Sequence, residues 1–312
     1  MKRILFIAPR FYEYPKLIKE EFERRGFVVD YYKSYPTSFF YKLSDFLHFK
    51  RGQRCIINHY THNILNSIHS SYHCVFIIKA SVLGYEFIEK LKSYVTAPFI
   101  QYIWDDLKFD RGAKATFCFF DKIFSYNPQD CDSEGLTLRT NFYSSKKYKK
   151  DKTVDLFFVA SYKPNRLDFL NKILPEIKKN NLTCSFNMKC SIIMFVLTPK
   201  LWKYRQYMVF HPIKYNKMME MLGSARAMID VSEKYQNGLT TRPFEALHVD
   251  TKIITTNKEI TNYDFYHNNN VLVIDEESPV IDINWINIPY KQIDERILNS
   301  YSVSGFVDDI LG

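Results

Sequence analysis

The chain has 312 residues, of which 46% are hydrophobic and 25% charged, and these values exclude a largely disordered protein and leave room for two domains. Its net charge of +9 has two local concentrations, at residues 48–54 and 146–152, and no known nucleic-acid motif accompanies either, so we expect no nucleic-acid partner. No apolar run approaches the roughly 18 residues that span a bilayer, and the N-terminus lacks the apolar stretch of a signal peptide, so we expect a cytoplasmic protein.

The first half of the sequence alternates strand and helix patterns. A largely apolar run at residues 3–8 predicts a buried strand, residues 14–25 predict a helix, and residues 27–32 predict the next strand. This order is a βαβ unit, which favours a parallel sheet covered by helices. Later in this half we predict strands at 74–78, 98–104 and 122–126 and a helix at 83–92.

The same alternation restarts after a lysine-rich stretch. Residues 146–153 lack apolar periodicity and predict a basic linker. Beyond it we predict strands at 154–160, 183–188, 227–231, 252–256 and 271–274, and helices at 165–178, 215–225, 243–247 and 292–298. The predicted fold is therefore α/β, with two Rossmann-like domains in tandem and a cleft between them. We expect an N-terminal domain at 1–145, a C-terminal domain at 154–290, and a C-terminal helix within 291–312 that packs back on the first domain.

The strongest functional pattern lies at residues 230–247. A predicted strand gives way there to a loop with Gly238, Thr240 and Thr241, and a helix begins at Arg242. The free N–H groups of a helix start favour an anion, threonine hydroxyls add donors, and an arginine fork suits phosphate. The pattern therefore indicates a phosphate-binding loop, although a capped helix with a surface Arg–Glu pair would give similar residues.

This pattern also carries a family resemblance. The run 236–247, followed by 252–257, resembles the donor-binding signature of GT-B glycosyltransferases, in the bacterial lipopolysaccharide and capsule branch related to CgeB-like proteins. Residues 120–126 and 155–161 are similar to the same branch. The resemblance implies an enzyme that moves a sugar from a nucleotide diphosphate sugar, UDP-linked, to a glycan or lipid-linked acceptor. It implies that the enzyme acts at the inner face of the cytoplasmic membrane, in peripheral contact with anionic lipid. It implies no required cofactor.

The resemblance also implies roles for single residues. Arg242 would neutralise the diphosphate, Glu245 would hold the ribose, and Ile213 would lie near the base. The other residues implied at the donor are Gly238, Leu239, Thr240, Thr241, Ser161, Tyr162, Asn165 and Arg166. Retaining members of the family carry two glutamates eight positions apart; Glu245 matches the second, but Asn237 stands at the first, which leaves the stereochemistry open.

The catalytic base is less defined by the sequence. An inverting transfer needs a carboxylate or a histidine to take the acceptor proton. Asp105 and Asp106 follow a predicted strand and are the first candidates, although such a pair also serves as a helix cap. Glu13, in the first loop, is the next candidate. His59 and His73 come after it, because an isolated histidine is more often structural.

No metal site is predicted. The six cysteines form no C-x-x-C pair, which argues against a zinc site and a disulfide framework. The acidic pair at 105–106 lacks the D-x-D spacing of metal-dependent sugar transferases. Arg242 and a helix dipole can take the place of a metal at a diphosphate.

Two other functions stay open at this point. A nucleotide-sugar epimerase on the same two-domain plan would show activity without an acceptor. A non-enzymatic protein that binds nucleic acid or anionic membrane through its basic stretches would show steep salt dependence and no turnover of a nucleotide sugar. The ordered phosphate loop favours the two enzymes over the binding protein.

Overall fold

The computed structural model describes residues 2–36, 38–46, 49–110, 112–144, 146, 148, 151–233 and 236–312. Parts of both basic stretches, namely His48, Lys147, Lys149 and Lys150, lie outside the described residues. The chain divides into two compact units. Unit 1 comprises Met1–Thr140 and Val303–Gly312, and unit 2 comprises Asn141–Ser302.

Unit 1 is built on a six-stranded parallel sheet with the strand order β2-β1-β3-β4-β5-β6. The strands are β1 Arg3–Ala8, β2 Val28–Lys33, β3 Cys74–Ile78, β4 Phe99–Ile103, β5 Lys122–Ser125 and β6 Thr137–Leu138. The helices are α1 Tyr14–Arg24, α2 Phe39–Phe46, α3 Lys50–Ser67, α4 Tyr85–Tyr94 and α5 Pro128–Glu134, with 3₁₀ helices at Ala80–Val82 and Lys114–Phe119. Every residue of β3 and β4 is buried, as expected for central parallel strands covered on both faces.

Unit 2 repeats this plan with the strand order β12-β11-β10-β7-β8-β9. The strands are β7 Val154–Ser161, β8 Cys184–Lys189, β9 Met208–Val209, β10 Ala225–Asp230, β11 Lys252–Thr255 and β12 Val271–Val273. The helices are α6 Pro164–Lys179, α7 Ile192–Leu197, α8 Tyr215–Gly223, α9 Thr241–His248, α10 Ile283–Asn287 and α11 Glu295–Ser300, with 3₁₀ helices at Pro199–Tyr207 and Lys258–Asn262. Among the described residues, no helix has both the length and the apolar character that crossing a bilayer requires.

The strand orders place one crevice at the carboxyl end of each sheet. In unit 1 the chain adds β2 on one side of β1 and then crosses to β3 on the other side. In unit 2 it adds β8 and β9 on one side of β7 and then crosses to β10 on the other. The loops that follow the two central strands diverge at such a switch point, and open α/β sheets bind ligands there. The switch points therefore lie between β1 and β3 in unit 1 and between β7 and β10 in unit 2.

The chain returns to unit 1 with its last helix, α12 Val303–Leu311. Sequence analysis predicted a helix at 292–298, whereas the structure has α11 and α12 with a break between them. The apolar residues of α12 have helical spacing, and Phe306 is 0% exposed. Its ring lies edge-on against Tyr102 of β4, with 5.0 Å between ring centroids. Arg25 of the first βαβ unit donates to Asp308 at 2.6 Å, so α12 belongs to the core of unit 1.

We expect the Phe306→Ala substitution to destabilise unit 1 strongly. Truncating a buried phenylalanine leaves a cavity and lowers the free energy of unfolding by about 3–5 kcal/mol. Phe109→Ala is the matched control, because Phe109 belongs to the same unit and is 67% exposed. Urea denaturation measures both variants. Equal effects of the two substitutions would contradict the packing of α12 described above.

Candidate functional site

The loop after β7 places two cations at the carboxyl end of the unit 2 sheet. Arg166, in the first turn of α6, donates from Nη1 to the carbonyl oxygen of Ser161 at 3.1 Å. Its Nη2 lies 3.1 Å from Oε1 of Glu233, and Lys163 Nζ lies 2.8 Å from the same oxygen. Glu233 belongs to the loop after β10. These ion pairs therefore join the two loops of the unit 2 switch point.

Asp230, at the end of β10, links the same loops electrostatically. Burial raises the pKa of the Asp230 carboxyl above its ordinary value. The hydrogen bond that Thr255 Oγ1 donates to it at 3.1 Å acts in the opposite direction. The positive charges of Arg166 and Arg242 also lower this pKa. Both arginines therefore lie within electrostatic reach of one carboxyl, although Arg166 belongs to the first turn of α6 and Arg242 to the first turn of α9.

The N-terminus of α9 carries an unsatisfied hydroxyl. Thr240 is the N-cap residue, with the extended backbone of a cap, but its side chain makes no capping hydrogen bond. Within the described ranges, the buried Thr240 Oγ1 has no hydrogen-bond partner, and neither has the buried Nε of Arg166. A buried polar group without a partner costs about 1–3 kcal/mol. The first N–H groups of a helix also lack intrahelical partners, so this end of α9 suits an anion with several oxygens.

Arg242 is held at the start of α9 by Glu245. Its Nη1 contacts Oε2 of Glu245, whose side chain is 0% exposed, while the arginine side chain keeps 18% of its surface exposed. A buried carboxylate is stable only beside a compensating charge. Glu245 therefore positions the guanidinium, and the ribose contact implied for this carboxylate stays a prediction.

Hydrogen bonds fix the backbone of the predicted phosphate loop. Nδ2 of Asn257 lies 3.3 and 3.4 Å from the carbonyl oxygens of residues 236 and 237. Nδ2 of Asn141 donates to the carbonyl oxygen of Leu239 at 2.9 Å. Gly238 and Leu239 are both buried. Residues 236–239 therefore lead into α9 along a defined path, and Thr241, the first residue of that helix, is also buried.

Three further donor-site predictions, Tyr162, Asn165 and Ile213, also lie in unit 2. Tyr162 is half-buried against the core of unit 2. Nδ2 of Asn165 lies 3.5 Å from Oε1 of Glu276. Ile213 lies between β9 and α8, and β9 is three strand positions from β10, a separation of about 14 Å at the usual strand spacing. Arg166 and Arg242 both lie within electrostatic reach of Asp230, and the predicted place of Ile213 near the base stays a prediction.

Asp106 is a buried carboxylate of unit 1. Its side chain is 2% exposed and its Oδ1 accepts hydrogen bonds from Tyr126 Oη at 2.5 Å and from Asn127 Nδ2 at 3.0 Å. Lys108 Nζ lies 3.2 Å from the other carboxylate oxygen. A carboxylate enclosed in this way anchors the loop after β4 to the loop after β5. Its predicted role as catalytic base stays untested, and its burial does not favour it.

Asp105 and Glu13 are the accessible carboxylates of unit 1 among the predicted bases. The Asp105 side chain is 45% exposed, and its Oδ2 lies 2.5 Å from Lys79 Nζ. Lys79 follows β3 and has a left-handed backbone with φ of 60°. Glu13 follows β1, and its side chain is 49% exposed. Glu13 and Lys79 thus come from the two loops of the unit 1 switch point, and Asp105 is joined to it through Lys79.

The two predicted histidines lie elsewhere. The backbone N–H of His73 donates to the carbonyl oxygen of Arg3 at 2.7 Å, so this residue is at the amino ends of β1 and β3. That edge is opposite the switch point, and burial lowers the pKa of this histidine. His59 belongs to α3, and its Nε2 lies 3.2 Å from Nδ2 of Asn63 in the same helix. The geometry favours a structural role for both.

An aromatic cluster borders the unit 1 switch point, and sequence analysis did not assemble it. Phe11 and Tyr12 follow β1 and are 40% and 47% exposed. The Phe11 ring lies 5.7 Å from the ring of Trp104, which follows β4. Tyr12 adopts φ of 45°, a left-handed conformation that is unusual for a bulky residue. Residues separated by about ninety positions meet here because β1 and β4 flank β3 in the sheet.

A cationic cavity lies between α3 and α4 of unit 1. It encloses about 500 Å³, and its walls include Lys50, Arg54 and Lys90. In the described part of the chain these three side chains form no ion pair. Glu86 also lines the cavity, so the walls carry a net positive charge. The helix α4 begins beside the cavity.

The described residues hold no cluster of three His, Cys, Asp or Glu side chains that could bind a metal ion.

Comparison with known proteins identifies the fold. No family model matches the sequence, and no curated protein matches it. Sucrose-phosphate synthase from Thermosynechococcus elongatus is similar in structure, with 9% identity, a TM-score of 0.62, and coverage of 99% of this chain and 98% of that chain. HepE of Anabaena, solved with UDP and glucose, has 9% identity and a TM-score of 0.62 over 100% and 99% of the chains. A UDP-N-acetylglucosamine 2-epimerase has 8% identity and a TM-score of 0.53 over 96% and 94%.

At these identities the likeness establishes the architecture. The two parallel six-stranded sheets match the two Rossmann-like domains of the GT-B fold over nearly the whole chain. The predicted fold class, α/β with two Rossmann-like domains of the GT-B type, is confirmed. The two glycosyltransferase-fold neighbours and the epimerase share that architecture, so activity has to be argued from the site.

We expect two threonine-to-valine substitutions to differ in their effect on the free energy of unfolding. Thr240→Val removes an unsatisfied buried hydroxyl and should leave the free energy of unfolding unchanged or raise it. Thr255→Val removes a hydroxyl that donates to Asp230 and accepts from the N–H of Asn257, and should cost about 1–3 kcal/mol. Urea denaturation of both variants measures the difference. A large loss of stability in Thr240→Val would show that its hydroxyl is already satisfied.

Proposed function

We propose that the protein is a glycosyltransferase that uses a nucleotide diphosphate sugar, UDP-linked, as its donor. The observation that carries this proposal is the meeting of Arg166, Arg242 and the Thr240 hydroxyl at the unit 2 switch point. A diphosphate offers several anionic oxygens at the spacing that two guanidinium groups and a helix N-terminus can share. HepE, a protein of the same fold, was solved with UDP-glucose, which supports this choice of donor.

The reaction needs little from the donor site beyond charge stabilisation. The bond between the sugar anomeric carbon and the diphosphate oxygen breaks, and the diphosphate leaves with the electron pair. An acceptor hydroxyl oxygen forms the new bond to that carbon and gives its proton to a base. Arg242, fixed by Glu245, and the N-terminus of α9 stabilise the charge that develops on the leaving diphosphate. Preorganised donors of this kind typically contribute about 2.7–4 kcal/mol each to catalysis.

Glu233 forms ion pairs with both Lys163 and Arg166 in this structure. Its carboxylate lies within 3.1 Å of both Lys163 and Arg166. A donor diphosphate would compete with this carboxylate for the same donors, so binding has to move Glu233 aside. Pairing with Glu233 keeps the cations in place at a lower cost than leaving them uncompensated.

The unit 1 switch point is proposed to receive a glycan acceptor. The exposed rings of Phe11 and Tyr12, with the half-buried ring of Trp104 beside Phe11, can stack on sugar rings through their apolar faces. Asp105 is the proposed base, because it is the exposed member of the predicted pair and its Oδ2, 2.5 Å from Lys79 Nζ, is joined to the unit 1 switch point. The cationic cavity between α3 and α4 suits an anionic or lipid-linked glycan, such as those of lipopolysaccharide or capsule synthesis.

A nucleotide-sugar epimerase is the second candidate, because an enzyme of that type shares the fold. An epimerase would convert the nucleotide sugar without any acceptor. A glycosyltransferase would release free nucleotide diphosphate in proportion to the acceptor supplied. Chromatography of the products with and without a glycan acceptor separates the two activities.

We expect UDP to raise the melting temperature of the wild type, because a ligand that binds only the folded state stabilises it. Arg166→Gln should weaken UDP binding by about tenfold or more, since it removes a charge-assisted pair. Arg226→Gln is the matched control: Arg226 also belongs to unit 2 but lies near the start of β10, at the opposite edge of the sheet. Titration of the thermal shift against UDP measures all three proteins. Equal binding by Arg166→Gln and Arg226→Gln would contradict the site.

Asp105→Asn should lower kcat by about 100-fold or more while UDP affinity stays unchanged, because only proton transfer is lost. Asp106→Asn is the matched control, since that carboxylate is enclosed within unit 1. Glu13→Gln tests the remaining accessible carboxylate. A kcat that falls with Glu13→Gln and not with Asp105→Asn would move the base to the loop after β1. A loss confined to Asp106→Asn, with normal stability, would overturn the assignment.

A further inference from the structure

Helix α7 exposes nearly all of its apolar side chains. Five of its six residues are large, apolar and exposed, from 46% at Met194 to 74% at Leu197. Phe195 alone in this helix packs inward, against the ring of Phe210 with 5.3 Å between centroids. A contiguous apolar patch of this kind on a folded domain marks an interaction surface.

Trp202 extends this patch from the neighbouring 3₁₀ helix. Its side chain is 55% exposed, and its Nε1 donates to the carbonyl oxygen of Phe195 at 3.0 Å. The hydrogen bond fixes the indole beside α7 and satisfies its polar group. Tryptophan is enriched where apolar surface meets the polar boundary of a membrane.

The segment around α7 carries only positive formal charges. Residues 184–219 contain no aspartate or glutamate. They contain six lysine and arginine residues, namely Lys189, Lys200, Lys203, Arg205, Lys214 and Lys217. Lys200, Lys203 and Arg205 are exposed and follow α7 directly. The guanidinium of Arg205 lies 5.0 Å from the ring centroid of Phe210, the ring that contacts Phe195.

We propose that α7, Trp202, Lys200, Lys203 and Arg205 form a surface, the α7 surface, that docks unit 2 on a bilayer rich in anionic lipids. The apolar side chains enter the boundary between headgroups and acyl chains, and the cations meet the headgroup phosphates. A helix of six residues is too short to cross a bilayer, so α7 lies in the interface. This inference deepens the lipid-linked acceptor of the proposed function, but docking does not require sugar transfer.

Charge decides between a membrane and a second copy of the chain. Two α7 surfaces packed face to face would bring two sets of exposed cations together without intervening acidic residues from this segment. Such a dimer would be opposed by like-charge repulsion. An anionic bilayer instead offers negative charge to Lys200, Lys203 and Arg205 and an apolar interior to the side chains of α7.

The test is co-sedimentation of the full chain with vesicles of phosphatidylcholine alone and of equimolar phosphatidylcholine and phosphatidylglycerol. The wild type should bind the anionic vesicles. Ile193→Ser with Leu197→Ser should weaken binding by about tenfold or more, because each buried aliphatic side chain contributes to partitioning. Lys200→Gln with Lys203→Gln should also weaken it by about tenfold, and only for the anionic vesicles.

Matched controls make the result specific to α7. Phe39→Ser with Phe40→Ser changes two residues of α2 in unit 1 that are each 71% exposed, the same fraction as Ile193. Lys16→Gln with Lys114→Gln removes two cations of unit 1 whose side chains are 62% and 55% exposed. Neither control should weaken vesicle binding. If the α2 variant loses binding and the α7 variant keeps it, the docking surface is elsewhere and the proposal is wrong.

Two further readouts separate the other outcomes. The emission of Trp202, taken as the difference between the wild type and Trp202→Phe, should shift to shorter wavelength when anionic vesicles are added. An unchanged emission, or a concentration-dependent dimer that Ile193→Ser with Leu197→Ser abolishes, would overturn the proposal. Arg166→Gln should bind vesicles like the wild type, so a failed donor site and a failed membrane surface give different results.

Discussion

The pairing of cations at the unit 2 switch point with nearby carboxylates is the interaction on which the candidate site depends. Arg166 enters from the loop after β7 and Arg242 from α9, and Asp230 lies within reach of both. Glu233 and Glu245 hold these guanidinium groups in fixed positions. Cations concentrated in this way would repel one another without such partners. The crossing of the chain from β7 to β10 is what brings the loops together.

The two units apply the same sheet plan to different chemistry. In unit 2 the switch point collects arginines and an unsatisfied hydroxyl, which suits a compact and highly charged ligand. In unit 1 the corresponding loops carry exposed aromatic rings and accessible carboxylates, which suits the faces and hydroxyls of a sugar chain. A donor in one unit and an acceptor in the other is the division of labour that this difference favours.

The sequence predicted the parts of the site that are local. Thr240 and Arg242 stand in a strand–loop–helix order that can be read from a dozen residues, and the alternation of elements gave the α/β class. The contact of Glu233 with Lys163 could not be predicted in this way, because it depends on β10 lying beside β7 rather than on spacing along the chain. Burial is equally non-local, which is why Asp106 looked like an accessible strand-end carboxylate in the sequence.

The apolar run of α7 shows the opposite difficulty. In the sequence it is merely an apolar stretch too short to cross a membrane, and such runs usually belong to a core. In the structure its side chains are exposed and exposed cations follow it in the chain, so the run is better explained as a binding surface than as part of a core. For the last helix, the sequence analysis expected a C-terminal helix within 291–312 but gave its bounds as 292–298 and could not name its partners, because the rings that Phe306 of α12 contacts in β3 and β4 are some two hundred residues away.

Hydrogen exchange in the presence and absence of UDP tests the central claim most directly. The account predicts slower exchange of backbone amides in residues 161–166 and 236–242, the two loops that carry the cations of unit 2, with unit 1 unaffected by UDP alone. Protection confined to the cationic cavity of unit 1 would contradict the account. So would unchanged exchange of the two unit 2 segments at millimolar UDP, on the order of 1–10 mM, where a weak nucleotide site is also filled.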